Sequence, residues 1–183
     1  EINQLIIDHV GRGVQVVRLK SGDPSVFGRL DEELEAIAAH DISYSIVPGI
    51  TAASTAAASL GRSLTQRDRN SGVRLITGYD MAGFADQDWR SMAAPDTVVA
   101  IYMGKKAARF IQGRLMMHGA DAETPITVVE NVSRADQRTI STQLKHLPQA
   151  VGNLDGPAVL LYGVISRIKS CKIYQKQVFE RCN

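Results

Sequence analysis

Three short segments carry residue types that do chemistry at close range: Ser21-Gly22-Asp23-Pro24, Pro48-Gly49-Ile50-Thr51 and Met103-Gly104. Glycine at 22 lets a ligand approach the main chain without meeting a side chain. The Asp23 carboxylate beside it can accept hydrogen bonds from an amine or a hydroxyl. Pro48-Gly49 leads into a helix whose first N–H groups can hold a carboxylate or a phosphate. Taken singly, each segment reads equally as a turn, a helix start or a core methionine. Neither GxxxxGK[ST] nor GxGxxG occurs, which excludes a P-loop and a dinucleotide fingerprint. The two cysteines, Cys171 and Cys182, make no CxxC pair and no Cys/His cluster of metal spacing, so no metal is expected.

Alternating strands and helices must position these segments. The β-branched run over 14–19 (VQVVRL) predicts a buried parallel strand, stopped by Gly22 and Pro24. Residues 29–39 place Leu30, Leu34, Ile37 and Ala38 on one face of a helix. A second strand is expected over 43–47. A helix of Ala, Ser and Thr follows over 51–60, its small side chains suited to close packing, and Gly61 ends it. A polar connector over 62–72 precedes a second series. Strands are expected at 73–77, 97–102, 125–130, 137–144 and 157–162, with an amphipathic helix over 105–118. This alternation gives an α/β class. The opening residues, apolar at Ile2, Leu5, Ile6 and Val10, read as already within a helix.

Composition narrows the partners. A formal charge of +2 demands neither nucleic acid nor a membrane surface. Residues 166–183 alone carry a net +4, so the basic character belongs to the tail and reads as a solvated end. No run of residues is long and apolar enough to span a bilayer, and the cysteine usage fits a reducing cytoplasm.

In combination the segments are far more specific. RLKSGDPSVFGR, VPGITAAS, LTQR, ITG at Ile76 to Gly78 and YMG at Tyr102 resemble, in order and spacing, the uroporphyrinogen-III C-methyltransferases, a branch of the tetrapyrrole methylases. The resemblance runs from about Glu1 to Ser166. It implies two α/β lobes with S-adenosyl-L-methionine in the cleft between them, in a cytoplasmic homodimer. The implied reaction methylates two pyrrole carbons of uroporphyrinogen III to give precorrin-2, on the way to sirohaem and cobalamin. Carried over by position, the cofactor contacts fall on Ser21, Gly22, Asp23, Val26, Thr51, Ala52, Met103 and Val132. Arg29 falls on the tetrapyrrole side, and Arg62, Arg67 and Arg69 are further candidates for the acceptor's carboxylates.

The same resemblance leaves the catalytic groups unassigned. The family's glycine-rich opening and its acidic and lysine proton-transfer residues fall upstream of Glu1, so the first strand-loop unit is expected to be missing. Ser21 and Gln66 stand where many relatives carry Gly and His; a serine fits the turn if its φ is negative. The expected organisation is a partial N-terminal lobe with its connector over 1–71, a C-terminal lobe over 72–165 and the basic tail. An incomplete N-terminal sheet should leave apolar surface exposed, and the chain by itself should turn over little substrate. Two readings stay open beside this one: a non-catalytic ligand-binding or dimerisation module, and a ring methylase with another acceptor.

Overall fold

The computed structural model describes residues 1–164; the basic tail and both cysteines lie outside the described residues. Helices α1 (Ile2–Gly11), α2 (Leu30–Ala38) and α3 (Ala52–Ser59) come first. Strand β1 (Arg74–Thr77), a small hairpin of β2 (Tyr79–Asp80) and β3 (Gly83–Phe84), and α4 (Trp89–Met92) follow. The remainder is β4 (Val99–Tyr102), α5 (Ala108–Met117), β5 (Pro125–Glu130), β6 (Arg138–Gln143), α6 (Leu147–Val151) and β7 (Ala158–Tyr162).

Five strands form one sheet in the order β1-β4-β7-β5-β6. Alternation along the strands sends side chains to opposite faces. On one face Val99, Ile101, Ile126, Val128, Leu160 and Tyr162 pack against α4, α5 and α6 through Trp89, Ile111, Leu115 and Leu147. On the other, Ala100, Val129, Val159 and Leu161 meet Ala53, Ala56 and Leu60 of α3. The small residues expected to allow close approach do so here, alanine against alanine.

Two expected strands do not form. Residues 14–19 and 43–47 pair with nothing, and the described residues place no strand beside either. A β-branched run favours a strand only when a ladder and a packed face receive it. Without them Leu19 and Val47 are each 81% exposed and Val17 74%. Arg18 and Lys20 instead converge on Glu33 of α2, at 3.2 and 2.7 Å. Within the sheet only β1 and β4 are paired in parallel. Strand β7 inserts antiparallel between β4 and β5, and β6 is antiparallel to β5.

This arrangement gathers the carboxyl ends of β1, β4 and β5 on one rim. There Glu130, buried at the end of β5, accepts from Arg138 Nε and from the Gly156 amide, both at 2.6 Å. The Arg138 hydrogen bond holds its carboxyl below the usual glutamate range, against the opposing effect of burial. Lys105, just past β4, donates to the carbonyls of Leu154, Asp155 and Gly156 at 2.8, 3.0 and 3.1 Å. The turns after β4 and before β7 are thereby tied together.

Two outcomes follow for stability. Leu160→Ala, in the sheet core, should cost about 2–5 kcal/mol in urea unfolding, whereas Leu19→Ala should stay within about 0.5 kcal/mol. Because the Glu130 pKa is lowered on folding, its carboxylate stabilises above the unfolded value near ~4.3 and that contribution is lost as pH falls. Glu130→Gln should therefore be less stable than the wild type at neutral pH, with the gap closing below about pH 4.3.

Candidate functional site

The Ser21–Pro24 loop and the Pro48-Gly49 turn meet backbone to backbone. A Cβ on Gly49 would lie 2.0 Å from the Gly22 carbonyl oxygen, so only glycine permits the contact. Gly22 itself has φ +73°, and Ser21 is not among the residues at positive φ, as its side chain requires. Lys20 donates to the Gly28 carbonyl and closes the loop from behind. Asp23 Oδ1 accepts from the Ser25 hydroxyl and amide at 2.6 and 2.8 Å. Those bonds hold its carboxyl below the ordinary aspartate range, so it is an anion at neutral pH.

Both loops reach the end of β4 through Tyr102. Its hydroxyl bonds the Thr51 hydroxyl and accepts from the Ala53 amide at 3.1 Å. Its ring lies 4.9 Å from that of Phe27, tilted by 50°. Its carbonyl accepts from the Gly78 amide at 2.7 Å. Met103 follows at φ +52°, its side chain half exposed. Across the rim Val132 packs against the same apolar cluster as Tyr102. Ser21, Gly22, Asp23, Thr51 and Ala52 are thus brought to the rim that carries Met103 and Val132, with half-buried Val26 in the loop beside Phe27.

Arg29 stands apart from this group. It precedes α2 at φ +54°, with its guanidinium 77% exposed and paired to Glu32, Nε to Oε1 being 2.8 Å. The glutamate raises the Arg29 pKa further, so its charge is permanent. Arg62, Arg67 and Arg69 are elsewhere. They line two adjoining hollows, of about 600 and 320 Å³, which also touch Gln66 and Val164. Val164 follows β7, whose carboxyl end lies at the rim opposite to Met103. These two hollows are therefore not where the glycine loops meet.

Sequence reasoning missed Tyr102 and Phe27 as site residues. It also missed the strain: of eight non-glycine residues at positive φ among the described residues, Phe27, Arg29, Met103, Asn131 and Ser133 belong to these loops. Such backbone costs about 1–3 kcal/mol per residue and gathers where geometry serves a ligand. Asn131 Oδ1 is buried with no hydrogen-bond partner, while its amide nitrogen donates to Asp136 at 2.7 Å. Among the described residues no cluster of His, Cys, Asp or Glu comes together that could hold a metal. No described helix is long and apolar enough to cross a membrane.

Known proteins share this architecture. The model of the Tetrapyrrole (Corrin/Porphyrin) Methylases matches residues 1–148. Siroheme synthase 1 of Aeromonas hydrophila is 43% identical over 164 residues, 90% of this chain but 35% of its own length. The siroheme synthase of Edwardsiella ictaluri is 43% identical over 169 residues, 92% of this chain and 36% of its own. The chain thus spans about a third of the curated relatives it matches. The uroporphyrin-III C-methyl transferase of Thermus thermophilus, complexed with S-adenyl homocysteine, superposes at a TM-score of 0.75 with 30% identity. That match covers 88% of this chain and 68% of the other. Cobalt precorrin-4 methyltransferase superposes at 0.80 over 89% of this chain and 70% of its own, and at 23% identity it shows the common fold alone. By the extent of these matches, the chain belongs to the tetrapyrrole methylases, a methyltransferase family of tetrapyrrole biosynthesis.

Proposed function

We propose that this chain forms the methyl-donor site of a uroporphyrinogen-III C-methyltransferase that uses S-adenosyl-L-methionine. The observation that carries the reading is that the Ser21–Pro24 loop meets the Gly49 turn, while Phe27 and Thr51 beside them dock on Tyr102, the neighbour of Met103. The donor set suits such a ligand. Asp23 remains ionised and can take the ammonium or hydroxyl hydrogens of an amino-acid or ribose group. Gly22 exposes main chain for further hydrogen bonds. Met103 and Val26 offer apolar surface without a competing charge. When bound, the donor supplies a methyl carbon made electrophilic by its sulfonium.

The chain's own residues then align and hold. Thr51 and Ala52, at the start of α3, lie where a carboxylate meets the positive end of a helix. Arg29 is exposed, and an exposed ion pair contributes little, so Glu32 can yield its place to an acceptor carboxylate. Holding donor and acceptor in register accounts for much of the acceleration expected of such a displacement. The reading assigns residues 1–71 and 72–165 to the two lobes that flank the donor, and takes the protein to act as a cytoplasmic homodimer. Its support for uroporphyrinogen III as acceptor is the likeness to the Thermus transferase and the siroheme synthases.

Calorimetric titration with S-adenosylhomocysteine should show one site per chain, and absence of binding would overturn the reading. Gly49→Ala drives a methyl into the Gly22 carbonyl; it should weaken that binding at least about tenfold while circular dichroism stays that of the wild type. Joined to the preceding segment of a relative such as the Aeromonas hydrophila siroheme synthase, this chain should convert uroporphyrinogen III to precorrin-2 in the presence of the donor, and the 183-residue chain alone should show little turnover.

A further inference from the structure

Helix α3 begins in an unusual way. Thr51 is its N-cap, yet its hydroxyl makes no bond to the helix amides. A capping threonine ordinarily accepts from the second or third amide of its own helix. Here the second amide, that of Ala53, is satisfied by the Tyr102 hydroxyl at 3.1 Å. The same hydroxyl bonds Thr51 Oγ1. Tyr102, far off in sequence, therefore caps the helix in place of Thr51. The threonine hydroxyl is fixed in a position that its own capping geometry would not give it.

We propose that Tyr102 is a positioning residue for the donor site, resting on the reading given above. Relieving Thr51 of its cap duty holds the Thr51 hydroxyl at the rim, against the Tyr102 hydroxyl. The Tyr102 ring supports Phe27 at 4.9 Å and with it the loop that carries Asp23 and Val26. The Tyr102 carbonyl fixes the end of β1 through Gly78. The side chain of Tyr102 thus sets the relative placement of two segments, the start of α3 and the Phe27 loop, neither of which is its sequence neighbour. Without the hydroxyl, Thr51 turns to cap α3 itself, so the helix keeps its cap and the site loses its hydroxyl. This separates a positioning role from a structural one.

The test compares Tyr102→Phe, Thr51→Val and the double variant by calorimetry with S-adenosylhomocysteine and by thermal unfolding. Tyr102→Phe should weaken binding about tenfold with little change in Tm. Thr51→Val, which keeps the Tyr102 ring in its packing, should show a similar loss, and the double variant no further loss. Additive losses overturn the proposal, as does Tyr102→Phe binding as tightly as the wild type. A loss that only tracks the unfolded fraction of Tyr102→Phe also overturns it. Failure of the wild type to bind overturns the donor-site reading itself, and the role of Tyr102 falls with it.

Discussion

The site depends on the placement of β7 between β4 and β5. Because β7 runs antiparallel to both, β4 and β5 point the same way and end on the same rim. Met103 and Val132, far apart in the chain, emerge there together. The parallel pairing of β1 with β4 brings Gly78 to the same place, where the Gly78 amide bonds Tyr102. A Cβ on Gly78 would come within 2.8 Å of the Gly104 Cα, so the two strand ends approach as closely as backbones allow. The other face contributes through small residues. Ala100 sits under Ala53 and Ala56 of α3, and a larger residue at any of the three would lift the helix and with it Thr51 from Tyr102.

Much of this was legible in the sequence. The apolar runs that became β1, β4, β5 and β7 alternate faces as a two-sided sheet requires, and Gly61 and Gly119 end α3 and α5 at φ +59° and +92°. The direction of β7 was not legible, since a strand buried on both faces carries the same apolar run whichever way it pairs. Residues 14–19 and 43–47 illustrate a second limit. Their β-branched content describes a surface they would fit, and says nothing of whether a neighbouring strand is present. The β2–β3 hairpin, two residues to a strand, is too short to leave a periodic signal.

The site divides along the same line. Glycine spacing marked Ser21–Pro24, Pro48-Gly49 and Met103-Gly104 because close main-chain contact demands that residue locally. Tyr102 went unread because its role is defined by Thr51, Ala53 and Phe27, which only the fold brings to it. The connector arginines lie away from the glycine loops for a geometric reason. Helix α3 is 8 residues long, so its two ends are about 12 Å apart. Thr51 lies at one rim of the sheet, and Arg62 follows the helix at the other. Charge and sequence proximity carry no information about which end of a helix faces a ligand.

One half of the candidate site is tied by buried contacts and the other is held by fewer. Met103 and Val132 stand on turns fixed by Lys105, by the Glu130–Arg138 pair and by fully buried β-strands. The loop half, by contrast, follows a segment whose Val17 and Leu19 lie open to solvent. Its order rests on Lys20, on the contact of Gly22 with Gly49 and on Tyr102. Ordering mobile segments subtracts from binding, so affinity in such a site is governed by how fully the loops are held beforehand. In the proposed donor site, the few contacts that dock the loops onto the rim, with Tyr102 at their centre, are the ones that govern affinity.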